Sequence, residues 1–143
     1  GEVPDGAYAV PFGLADIKRA GTDVTLVAYL RMVHVALRAA DELAEEGIEA
    51  EVVDLRSLRP LDRDTVAESV RKTNRVVVVE EGWKSGGFGA EVAASIMADA
   101  FDHLDAPVGR VAGKEVPMPY NRELEQAAIP NSKDVVDAVK ALF

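Results

Sequence analysis

The chain has no cysteine in its 143 residues. Disulfides, thiolate metal sites and cysteine nucleophiles are therefore excluded, and the composition fits a reducing compartment such as the cytosol. Histidine is almost as scarce. His34 and His103 fall on different expected helices, and no carboxylate–histidine spacing completes a metal site. That leaves His34 as a packing or interface residue. No apolar run approaches the roughly 20 residues that span a bilayer. The opening Gly1-Glu2-Val3-Pro4-Asp5 has neither a basic segment nor an apolar core, so it does not read as a signal peptide. A Gly-x-Ser-x-Gly elbow, a Walker loop and a GxGxxG fingerprint are all missing. Positive charge is also short: 16 Lys and Arg against 25 Asp and Glu give a net charge of −9. Such a chain repels nucleic acid and anionic membranes and attracts basic partners.

What is present reads as one folded domain with one core: 48% of the residues are hydrophobic and 29% are charged. The hydrophobic period alternates between strand and helix. Asp23–Tyr29 is a short β-rich apolar run. A helix follows, with Val33, Ala36, Leu37, Ala40, Leu43 and Ala44 on one face and Gly47 as its stop. Glu49–Leu55 reads as a second strand. Asp62 can cap a helix that buries Val66, Ala67 and Val70. Arg75–Glu80 is the clearest strand. The loop from Glu81 to Gly87 then leads to a helix with Ala93, Ile96, Met97, Ala100 and Phe101 inward. Pro107–Val111 is the fourth strand. A loop with Pro117, Pro119 and Pro130 leads to a last helix, capped by Asn131 or Ser132 and buried through Val135, Val139 and Leu142.

Strands alternating with helices predict a three-layer α/β/α fold around a mainly parallel sheet of about five strands. The fifth is an antiparallel edge strand near Ala15–Lys18, expected to turn at Ala20–Thr22 and pair with the first core strand. Residues 1–14 have no period and read as a linker or arm from a preceding domain. Residues 15–143 form the domain itself.

Ligands of open α/β sheets sit at the carboxyl ends of the strands. Here those ends carry Arg31, Arg56, Glu80, Glu81 and the loop Gly86-Gly87-Phe88-Gly89. The glycines could present N–H groups to an anion, or simply let the chain turn and the helix pack closely. Glu80 and Glu81 would point to opposite sides of a strand, which disfavours shared acid–base work; one of them is expected to pair with Arg56 or another base. Trp83, on the glycine loop, would plug the local core or anchor a subunit interface. The residues alone point to an acidic α/β domain with no self-contained active site.

An ordered set of short motifs adds to this. Gly21-Thr22-Asp23-Val24-Thr25, Arg31-Met32-Val33-His34, the run from Asp54 to Asp62 (DLRSLRPLD), Glu80-Glu81-Gly82-Trp83, Gly86–Glu91 (GGFGAE), Leu104-Asp105-Ala106-Pro107 and Val116–Tyr120 (VPMPY) cover almost the whole chain. Together they resemble the transketolase C-terminal-like domain, above all that of the beta subunits of the pyruvate and other 2-oxoacid dehydrogenase decarboxylase components.

The resemblance implies an α2β2 assembly. Thiamine diphosphate and magnesium would sit between the alpha subunit and a separate N-terminal domain of beta, so no cofactor or catalytic residue is expected in this chain. It implies beta–beta pairing near a two-fold axis, where Trp83 and His34 are candidate interface residues. It also implies a docking surface for the small basic peripheral subunit-binding domain of the acyltransferase core. Asp105 and Phe143, the latter through its carboxylate, match that docking surface. The compartment implied is the cytoplasm, or the mitochondrial matrix in a eukaryote. A branched-chain or acetoin dehydrogenase beta subunit, transketolase or deoxyxylulose-phosphate synthase, and a free-standing anion-binding module remain as alternatives.

Overall fold

The computed structural model describes residues 3–143; Gly1 and Glu2 of the expected arm lie outside the described residues. Five strands form one sheet: β1 (Asp16–Arg19), β2 (Val24–Ala28), β3 (Ala50–Asp54), β4 (Val76–Trp83) and β5 (Gly109–Gly113). The order across the sheet is β1-β3-β2-β4-β5. All neighbours are parallel except the edge pair β1–β3. The mainly parallel α/β/α fold is therefore as expected.

Helices cover both faces, which is why the core strands are mostly apolar on both sides rather than alternating, with Thr25, Glu51 and Glu80 as buried polar exceptions. Leu26, Val52, Val77 and Val79 face helices α1 (Arg31–Glu45) and α5 (Ser132–Lys140). Val27, Val53, Val76 and Val78 face α2 (Arg63–Thr73) and α3 (Phe88–Ala100). Each buried valine contributes on the order of 1.5–3 kcal/mol. Beneath α2, the hydroxyls of Thr25, Ser69 and Thr73 satisfy one another at 2.7 Å, so these buried polar groups are not orphaned.

The helix ends follow their sequence signals. Asp62 Oδ1 accepts from the Thr65 N–H at 3.1 Å and caps α2. Asn131, not Ser132, caps α5 in a reciprocal box with Asp134. Gly47 takes φ +83°, which a side chain would resist, and ends the turn after α1. The arm becomes attached where it meets the domain: the Gly13 N–H donates to Ser57 Oγ at 3.1 Å and the Ala15 N–H to Asp62 Oδ2 at 2.8 Å.

Several local expectations are corrected. β1 pairs with β3, not with β2. β4 runs on through Glu81 and Gly82 to Trp83, so the indole stands at a strand end rather than on the glycine loop. Met97 of α3 and Phe101, in the 3-10 turn Phe101–His103 that follows it, point outward, at 42% and 61% exposure, while Val92 joins Ile96 and Ala100 in the core. A further helix, α4 (Arg122–Ala128), interrupts the proline-rich loop.

Candidate functional site

The carboxyl end of the sheet carries the conformational irregularities. Leu30 and Arg56, just past β2 and β3, have φ of 52° and 53°, unusual for residues with a Cβ. Arg31 Nη1 lies 3.8 Å from Glu81 Oε1 across this end. Arg56 does not reach Glu80 or Glu81; it binds Asp16 Oδ2 at 2.6 Å.

Glu80 is buried at 1% exposure and pairs with Arg110, whose Nη2 donates to Glu80 Oε1 at 2.5 Å. The same guanidinium nitrogen reaches the Lys84 carbonyl at 2.8 Å. Glu80 Oε2 accepts the Gly89 N–H at 2.9 Å. The N-terminus of α3, where the glycine loop might have held a phosphate, is thus filled by the protein's own carboxylate. The glycines have a packing reason: a Cβ at Gly87 would lie 2.5 Å from Glu80 Oε2, and one at Gly89 2.7 Å from Glu80 Cδ. Tyr29 stands beside this pair, its hydroxyl 3.4 Å from Glu80 Oε2. Burial first, and then the Glu80 charge, push its pKa up to about 12. No group of three or more acidic, histidine or cysteine side chains that could hold a metal occurs among the described residues.

The other end of the sheet brings two expected residues to one cation. Arg75 directly precedes β4. Its Nη2 lies 3.7 Å from Asp105 Oδ2, its Nε donates to the Leu142 carbonyl at 3.1 Å, and its guanidinium carbon sits 4.4 Å from the centroid of the Phe143 ring. The Asp105 side chain and Phe143 are both well exposed, at 59% and 60%. Beside Asp105 runs a shallow apolar groove lined by Met97, Phe101, Leu104 and Pro107. Arg75 and this groove were missed from sequence. Met97 and Phe101 fit a helical apolar period, and Arg75 looked like the first residue of a strand.

Trp83 and His34 lie elsewhere. The eight residues of β4 separate Trp83 from Arg75, roughly 26 Å at about 3.3 Å per residue. Trp83 is 52% exposed and pairs with Gly113 of β5. His34 is exposed in the first turn of α1, which begins at the same carboxyl end of the sheet. The four candidates therefore divide between two ends of one sheet.

A family model described as "Transketolase, C-terminal domain" matches residues 13–135. The chain belongs to the transketolase C-terminal domain family. Its relatives include the pyruvate dehydrogenase E1 component subunit beta-2, mitochondrial, of Oryza sativa subsp. japonica, 54% identical over 97% of this chain and 37% of the relative. They also include the corresponding beta subunit of Rickettsia felis, 50% identical over 97% of this chain and 43% of the relative. The chain thus spans about two fifths of the length of these relatives. Among solved structures, one described as "Split gene transketolase, inactive beta4 tetramer" superposes with a TM-score of 0.81 at 35% identity, covering 99% of this chain and 45% of that one. A 2-oxoglutarate:ferredoxin oxidoreductase from Magnetococcus marinus shares the fold, with a TM-score of 0.61 at 13% identity over 90% of this chain and 19% of its own. No helix among the described residues is long and apolar enough to cross a membrane.

Proposed function

We propose that this chain is the C-terminal assembly and docking domain of the beta subunit of a thiamine-diphosphate-dependent 2-oxoacid dehydrogenase, with pyruvate as the substrate. The whole enzyme decarboxylates the 2-oxoacid oxidatively and passes the acyl group to the lipoyl-bearing acyltransferase. Relatives named as pyruvate dehydrogenase beta subunits, about half identical over nearly the full chain, support this branch. The split transketolase is less similar, at 35%.

Thiamine diphosphate and magnesium bind outside this domain. The residues present do not fit them, because the α3 N-terminus is already engaged by Glu80. Residues 1–14 are the arm leading from the cofactor-binding part, and 15–143 are the domain. The enzyme works in the cytoplasm, or in the mitochondrial matrix of a eukaryote.

The single observation that carries the docking role is the arrangement at the amino end of the sheet. Asp105 and Phe143 are exposed and share Arg75, and Asp105 borders an apolar groove. An apolar patch rimmed by anions, on a chain of net charge −9, suits a small basic domain. That partner is the peripheral subunit-binding domain of the acyltransferase core. At the opposite end Trp83 and His34 serve the beta–beta contact of an α2β2 assembly, leaving the docking end free. The test is a calorimetric titration of the basic domain against the wild-type chain, Asp105→Asn and a chain amidated at Phe143. Each change should weaken binding at least tenfold, or about 1.4 kcal/mol. No weakening by either change places docking elsewhere.

A further inference from the structure

We propose that Asn74 and Arg75 form a bracket that sets the distance between the two docking positions, with Arg75 as the positioning residue. This inference rests on the docking role of Asp105 and Phe143 and deepens it. Asn74 takes the left-handed conformation, φ 60°, at the end of α2. Its carbonyl accepts the Asp105 N–H at 2.9 Å, and its side-chain amide donates to the His103 carbonyl at 2.8 Å. The backbone that carries Asp105 is thereby tied to residue 74. The next residue ties the other position. Arg75 Nε donates to the Leu142 carbonyl, and the guanidinium plane covers the Phe143 ring.

The bracket itself is anchored in the core. The Arg75 carbonyl accepts the Thr25 N–H at 2.8 Å and the Thr73 hydroxyl at 3.1 Å. Two docking residues distant in sequence thus hang from adjacent residues whose backbone is fixed to the sheet. Past the end of α5, Leu142 also packs against the core and its N–H binds the Val139 carbonyl at 2.9 Å, while Arg75 is the side chain that ties Leu142 and Phe143 to the start of β4.

Arg75 does this without consuming the Asp105 carboxylate. At 3.7 Å the pair is longer than a hydrogen bond. Asp105 therefore keeps its acceptor sites for an incoming cation, while Arg75 spends its Nε–H on Leu142 and its ring stack on Phe143. Lysine has no planar fork and no Nε–H, so it would keep the charge and lose the hold.

A positioning role and a purely electrostatic role predict opposite signs. Arg75 is a cation next to a surface meant for a basic partner. If it acted only through charge, Arg75→Met would tighten binding. The experiment compares wild type, Arg75→Met, Arg75→Lys and Asp105→Asn. It measures affinity for a basic peripheral subunit-binding domain by calorimetry and backbone order at Leu142 and Phe143 by amide relaxation, with thermal melting as a check on folding. Arg75→Met is expected to weaken binding about tenfold and to raise the mobility of Leu142 and Phe143. Arg75→Lys should lose at least threefold despite its charge, and it carries the test if the Met variant does not fold. Unchanged or tighter binding in the Arg75 variants, with Asp105→Asn still weakened, overturns the bracket and leaves the docking role standing. If Asp105→Asn also binds normally, the docking role fails and the bracket fails with it.

Discussion

Gly89 and Glu80 lock the start of α3. The Gly89 N–H donates to the buried Glu80 carboxylate at 2.9 Å, and a Cβ at position 89 would sit 2.7 Å from the carboxyl carbon. The contact joins the end of the buried part of β4 to the helix that follows it. It also turns a loop that looks ready for phosphate into a closed structural joint, with Arg110 neutralising the acid from β5. Nothing in this arrangement asks for a substrate.

Substitution at this joint should show its tightness. Gly89→Ala is expected to cost about 1–3 kcal/mol, the range for overpacking a filled site. Gly82→Ala is the control. The nearest neighbour of a new Cβ there would be Glu80 Oε2 at 4.0 Å, so it should stay within about 0.5 kcal/mol of wild type. Urea unfolding of the two variants makes the comparison.

Asp62 should give the fold an acid-sensitive contact. Burial disfavours its charge, but the Ala15 N–H and the Thr65 hydroxyl and N–H outweigh this and hold its pKa below the ordinary carboxylate value. A depressed folded pKa means that the unfolded chain takes up the proton first. The contribution is therefore complete above the unfolded value of about 3.9 and is lost as pH falls through the folded one. Asp62→Ala should cost about 1 kcal/mol at pH 7, as for loss of an N-cap. That difference should shrink when unfolding is measured below pH 3.

Trp83 tests the assembly end. In the α2β2 assembly proposed above, Trp83→Ala is expected to weaken subunit association by about 2 kcal/mol, the scale of a buried aromatic anchor. Sedimentation equilibrium measures it. A change within about 0.5 kcal/mol, the size of an ordinary surface substitution, would remove Trp83 from the interface.

The sheet was legible because its code is local. Four consecutive valines, Val76–Val79, are all buried, and a run of that kind between turn signals reads as a doubly covered strand. Partner choice was less legible. The turn at Ala20–Thr22 makes β1 and β2 look like a hairpin. Instead, the Thr22 and Asp23 N–H groups bind the Glu49 carbonyl at 2.9 Å, and β3 lies between the two strands. α4 was missed because only Ala128 of its seven residues is buried, which leaves no apolar period to read. Asp105 and Phe143 came from family resemblance, not from pattern. The sequence held no sign that Arg75 joins them, since its contact with Leu142 spans 67 positions. Met97 and Phe101 were assigned inward because periodicity cannot tell a core face from an exposed apolar groove.

The most direct test of the two-ended domain is an amide chemical-shift map of the chain titrated with a basic peripheral subunit-binding domain. The account predicts that the perturbed amides cluster at Asn74 and Arg75, from Met97 to Val108, and at Leu142 and Phe143, and that they weaken together as salt is raised. A cluster around Leu30, His34 and Trp83, with the Asp105 end unmoved, would contradict it.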